Sequence, residues 1–117
     1  MTKKKRTSGK EIQDAIAAYA RTKGYMVAHF SPGRVGPKDK WITNYAYDSK
    51  GWPDLFLVKA GFAPLAIEVK GDGDTMSSEQ DEWLRVLMYS GVSVAVVTAA
   101  DWRNGVVERI INENNSF

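Results

Sequence analysis

Residues 51–70, GWPDLFLVKAGFAPLAIEVK, constrain this chain more than any other stretch. Two apolar runs, 55–58 and 65–69, are joined by the short link Lys59-Ala60-Gly61-Phe62-Ala63. Apolar character at every position predicts strands buried on both faces, and the short glycine-containing link predicts an antiparallel hairpin. In such a hairpin the start of the first strand lies beside the end of the second, so Asp54 comes next to Glu68 and Lys70. Side chains alternate along a strand, so Glu68 and Lys70 share one face while Ile67 and Val69 take the other.

Two carboxylates held that close repel unless a cation lies between them. A divalent metal held by Asp54 and Glu68 resolves the conflict, with the backbone carbonyl of Val69 as a further oxygen donor. Lys70 then stands where it can orient or deprotonate a water for attack on phosphorus, which points to a metal-dependent phosphodiesterase site. The chain has no Cys and one His, His29, which excludes cysteine-ligated zinc, thiol catalysis and disulfides. Oxygen ligands favour Mg2+ or Mn2+ over zinc. A plainer reading makes Glu68 and Lys70 the solvated face of an edge strand and Asp54 a turn residue after Pro53. Each motif alone would fit that reading; together, at matching ends of one hairpin, they favour the site.

The rest of the chain is read for whether it can support that hairpin. With 117 residues, 44% hydrophobic, it suits one domain, residues 8–117, behind a flexible basic arm, 1–7, carrying Lys3-Lys4-Lys5-Arg6. Ser8-x-x-Glu11 has the spacing of a capping box, and Ile12, Ala15, Ile16 and Tyr19 recur at helical spacing up to Gly24. Residues 25–30 predict a short strand, with His29 near its end in a structural role. Residues 31–52 break the pattern and interleave Arg34, Lys38, Lys40 and Lys50 with Trp41, Tyr45, Tyr47 and Trp52. That mixture suits a surface that touches DNA phosphates and stacks on bases, and is compatible with a β-excursion over 41–47 whose aromatics pack on the core. Ser77-x-x-Gln80 repeats the capping spacing and opens a helix with the stripe Trp83, Leu84, Leu87, Met88, closed by Gly91. Residues 92–97 predict a buried strand, parallel to the one ending at Lys70, and 101–113 a final helix. No apolar run approaches the about 20 residues that span a bilayer and no secretory signal is visible, so the expectation is a soluble protein of the cytoplasm.

Two further residues point toward the hairpin. Gln80 falls within the apolar stripe of its helix, so it faces inward, able to cap its own helix or to reach the site. Glu11 completes the first capping spacing and flanks the apolar stripe of its helix; it is the weaker assignment, as an additional metal contact.

Gly51-x-Pro53-Asp54, Glu68-Val69-Lys70, the Ser77 to Leu84 helix start with Gln80 and Trp83, and the Gly91 leading into a Val-rich strand resemble the VRR-NUC family of the PD-(D/E)XK nuclease superfamily. The resemblance runs from Glu11 to about Trp102. It implies an α/β, restriction-endonuclease-like core, αβββαβ, with a mixed sheet flanked by helices. It also implies Mg2+- or Mn2+-dependent cleavage of DNA, with catalytic roles for Asp54, Glu68, Lys70 and Gln80 and metal contacts from Asp54, Glu68, Val69 and Glu11. Stand-alone members resemble Holliday-junction resolvases, are typical of phages and act as homodimers, so branched DNA and a second copy of the chain are the expected partners. The rivals are a nicking or restriction-like nuclease of the same fold, and a non-catalytic DNA-binding recombination accessory. Clustered carboxylates near phosphates weigh against the accessory.

Overall fold

The computed structural model describes residues 8–29 and 47–116 in full and, between them, the backbone of residues 33–34 and 41–42. Its elements in chain order are α1 (Gly9–Thr22), β1 (Met26–His29), β2 (Gly33–Arg34), β3 (Trp41–Ile42), β4 (Leu55–Val58), β5 (Leu65–Lys70), α2 (Ser78–Tyr89), β6 (Ser93–Thr98), α3 (Ala99–Arg103) and α4 (Val106–Asn112). The main sheet has the order β1-β4-β5-β6, antiparallel at the first two pairings and parallel between β5 and β6. This is the mixed, helix-flanked sheet of the restriction-endonuclease-like fold. A separate ribbon pairs β2 with β3. Of the expected 41–47 excursion, Trp41–Ile42 is strand, and residues 43–46 lie outside the described residues.

Alternation along β5 separates two layers. Leu65, Ile67 and Val69 join Leu55 and Leu57 of β4 and Val97 of β6 in a core closed by Ile12, Ile16 and Ala20 of α1 and Val107 and Ile111 of α4. Burying an aliphatic side chain of this kind contributes about 1.5–3 kcal/mol, so this face supplies most of what holds the sheet to its helices. On the opposite face lie Phe56, Ala66, Glu68 and Lys70, beneath α2. Trp52 bridges the two, with its ring 5.6 Å from Phe56 and 4.9 Å from Trp83, and Trp83 donates Nε1–H to the carbonyl of Asp48 at 2.8 Å.

Both N-terminal caps fall where the spacing puts them. Ser8 accepts the backbone N–H of Glu11, although the Glu11 carboxylate does not return the bond, and Ser77 and Gln80 form the full reciprocal box. Four expectations need correction. The final helix is two, α3 and α4, because Gly105 turns the backbone to a positive φ of 75° between them. β4 is not buried on both faces: Leu55 and Leu57 are buried against the core that α1 closes, while Phe56 is half-buried and Val58 exposed on the opposite face. β6 is the sheet edge, so only Val97 of that strand is fully buried. Met88 lies exposed on α2 instead of within its inner stripe, because only Leu84 on this helix is fully buried against the sheet edge.

Candidate active site

β4 and β5 pair Leu55 with Ile67, so the same register continued by one residue sets Asp54 opposite Glu68. The Asp54 carboxylate accepts the backbone N–H of Val69 through Oδ2 at 2.8 Å, which ties it across the mouth of the hairpin. A residue in a strand turns its N–H and C=O to the same side, so the carbonyl of Val69 also faces the Asp54 edge. Lys70 ends β5 on the Glu68 face, its Nζ 4.0 Å from Glu68 Oε1 and its side chain mostly buried.

Glu68 is 1% exposed and is the charged residue of the core. Burial first, then hydrogen bonding to and repulsion from Asp54, push its carboxyl up from the ordinary 4.5 to about 9, against the opposing charge of Lys70. Near neutral pH Glu68 therefore keeps its proton in the metal-free protein. Its Oε1 lies 3.4 Å from the Gln80 amide Nε2, while its Oε2 is a buried acceptor with no donor partner among the described residues. A buried carboxyl oxygen left without a partner costs about 1–3 kcal/mol. That orphan oxygen, beside a second carboxyl group, offers oxygen donors of the type that hard divalent cations take.

Gln80 performs both jobs open to it. Its Oε1 accepts the backbone N–H of Ser77 at 2.9 Å and the Lys70 Nζ–H at 2.8 Å, so the helix cap also clamps the lysine. The clamp depends on how closely α2 approaches the turn before Asp54. Gly51 has a φ of +90°, and a Cβ there would lie 2.6 Å from the Glu79 carbonyl carbon and 2.8 Å from Gln80 N. No side chain fits between this turn and the start of α2, so Gly51 fixes the distance from Pro53-Asp54 to Gln80.

The structure brings Asp54, Glu68, Lys70, Gln80 and the Val69 backbone together. It does not gather Glu11 with them: Glu11 is exposed on α1, and among the described residues no group of three or more His, Cys, Asp or Glu side chains is placed to hold one ion. The start of α1, two residues before Glu11, packs on the exit of β5, where a Cβ on Gly71 would meet Gly9 N at 2.5 Å. Of the residues assigned to DNA, Lys50 is exposed and pairs with Glu79 at 3.3 Å, a solvated bond that a phosphate can displace. Arg34 lies on β2, and Lys38 and Lys40, like the arm 1–7, fall outside the described residues. His29, expected to be structural, sits at the site's edge with its Nδ1 2.7 Å from the carbonyl of Asp54.

Comparison with protein families finds the VRR-NUC domain over residues 35–101, more than half of the chain. The chain belongs to the VRR-NUC family. This VRR-NUC chain is therefore a nuclease of the PD-(D/E)XK type whose domain implies DNA as substrate. The match spans Gly51, Asp54, Glu68, Lys70 and Gln80, and stops short of α1 and Glu11. No curated protein and no solved structure matches the chain. None of its described helices is long and apolar enough to cross a membrane.

Proposed function

We propose that this VRR-NUC chain is a divalent-metal-dependent, structure-selective DNA endonuclease of the Holliday-junction-resolvase kind. The observation that carries the metal is Glu68: a buried carboxylate with an unpartnered oxygen, facing Asp54. Asp54 and Glu68 hold Mg2+ or Mn2+, with the Val69 carbonyl turned to the same side. When bound, the ion would supply positive charge against both carboxylates and the scissile phosphate, with Glu68 giving its proton to solvent before it can serve as a ligand. Lys70, held by the Gln80 carbonyl oxygen, positions the attacking water and offers its charge to a phosphate oxygen. Gln80 in turn keeps the lysine from collapsing fully onto Glu68, since it engages both. Glu11 contributes as a helix-borne acid only if α1 and the DNA bring it inward on binding.

Residues 8–117 act as one nuclease domain, with the basic arm 1–7 adding sequence-independent phosphate affinity. An open hollow beside the site, lined by Tyr47, Lys50, Glu79 and Trp83, offers aromatic surface for a base displaced from a branch point. One site per chain makes one cut, so paired cuts across a junction require a two-fold homodimer. The test is a panel of linear duplex, nicked, flap and four-way-junction DNA incubated with Mg2+. Symmetric cleavage confined to branched substrates is the expected result; sequence-dependent cutting of linear duplex would replace the resolvase reading with a restriction-like one.

A further inference from the structure

His29 is the chain's only histidine and stands at the last rung of the β1–β4 ladder, where it pairs with Leu55. Asp54 directly precedes β4, one residue before Leu55. The imidazole reaches the backbone of that residue, with Nδ1 2.7 Å from Asp54 O. A carbonyl oxygen can only accept, so Nδ1 carries the hydrogen and donates it, which fixes the neutral tautomer. Asp54 is thereby held at both ends: His29 of β1 secures its peptide and the Val69 N–H of β5 secures its carboxylate.

We infer that His29 is a positioning residue for the metal site, acting through the Asp54 backbone to hold that carboxylate opposite Glu68. The inference rests on the metal reading given above and adds a third strand to the site. The need for such a tether follows from the place of Asp54, which directly precedes β4: a carboxylate there stays opposite Glu68 only while its backbone and side chain are both anchored. Packing gives no competing account of the ring, because His29 is exposed and lies outside the hydrophobic core.

An asparagine at this position presents its amide N–H near where Nδ1 stands, whereas a glutamine places its amide near Nε2, so the two variants separate the tether from mere polarity. Titration calorimetry of the full chain with Mn2+ is the test, alongside thermal melting in EDTA. His29→Ala and His29→Gln are expected to weaken Mn2+ binding roughly tenfold, at the low end of losses from removing a group that orients a ligand. His29→Asn should recover most of the affinity, with all midpoints in EDTA within about 2 °C of wild type, as for exposed substitutions. Unchanged Mn2+ affinity in His29→Ala, or glutamine rescuing as well as asparagine, would overturn the role of His29 while leaving the metal site standing. A wild-type chain that binds no Mn2+ would overturn both.

Discussion

The two faces of β5 are made from alternate residues of one six-residue strand and serve opposite ends. Leu65, Ile67 and Val69 are buried among other apolar side chains, where every contact favours folding. Ala66, Glu68 and Lys70 face α2, and there a carboxylate is buried with a second carboxylate beside it and one oxygen unpartnered. Both faces are hidden from water, so burial does not distinguish them. Polar satisfaction does: one face is complete as folded, and the other keeps a buried Glu68 oxygen without a partner among the described residues, the place the proposed cation would take. A strand can carry both because alternation insulates them from each other.

Replacing the buried acid separates the faces most sharply. Glu68→Gln should lower cleavage by more than about a hundredfold, as expected for loss of a catalytic carboxylate. The same change should raise the metal-free melting midpoint by about 5 °C at alkaline pH, because a domain of this size gains about that much per kcal/mol. The folded protein keeps on Glu68 a proton that the unfolded chain releases near 4.5, so metal-free stability falls as pH rises from 4.5 toward 9. Glutamine has no proton to lose, and melting curves of the variant across that window should be flatter than wild type.

A smaller effect follows from the same proton. Because it must leave before Glu68 can serve as a ligand, apparent Mn2+ affinity should rise about tenfold per pH unit between roughly pH 6 and pH 8. Calorimetry in buffers of different ionisation enthalpy counts the proton released. A flat affinity across that range would mean that Glu68 is already ionised or is not a ligand. On the core face, Ile67→Val should cost about 1 kcal/mol in denaturant unfolding and leave the cleavage rate within about twofold. A large loss of cleavage there would show that the faces are coupled.

Much of this was legible before any coordinates. The hairpin and the juxtaposition of Asp54 with Glu68 and Lys70 follow from two apolar runs, a glycine link and strict alternation, all local signals. Gln80 was readable for the same reason, as a polar residue in an apolar helical stripe. The division of α3 from α4 was marked by Gly105, but the apolar spacing on either side hid it. Edge and centre strands cannot be told apart from composition alone, which is why β6 read as buried. His29 reaches Asp54 across 25 positions through a backbone carbonyl, a partner present at every residue and therefore without a sequence signature. Gly51 signalled a turn, while the reason no side chain fits there lies in Glu79 and Gln80, more than a helix turn away in sequence and adjacent only in the fold.

The central claim is that the polar face of β5 is an active site completed by a divalent ion. Cleavage of end-labelled branched DNA, with Mg2+, Mn2+ or EDTA, by wild type, Asp54→Ala and Lys70→Ala tests it most directly. The account predicts products only with wild type and metal, with rates in either variant down about a thousandfold. Cleavage in EDTA, or activity surviving Asp54→Ala or Lys70→Ala, would contradict it.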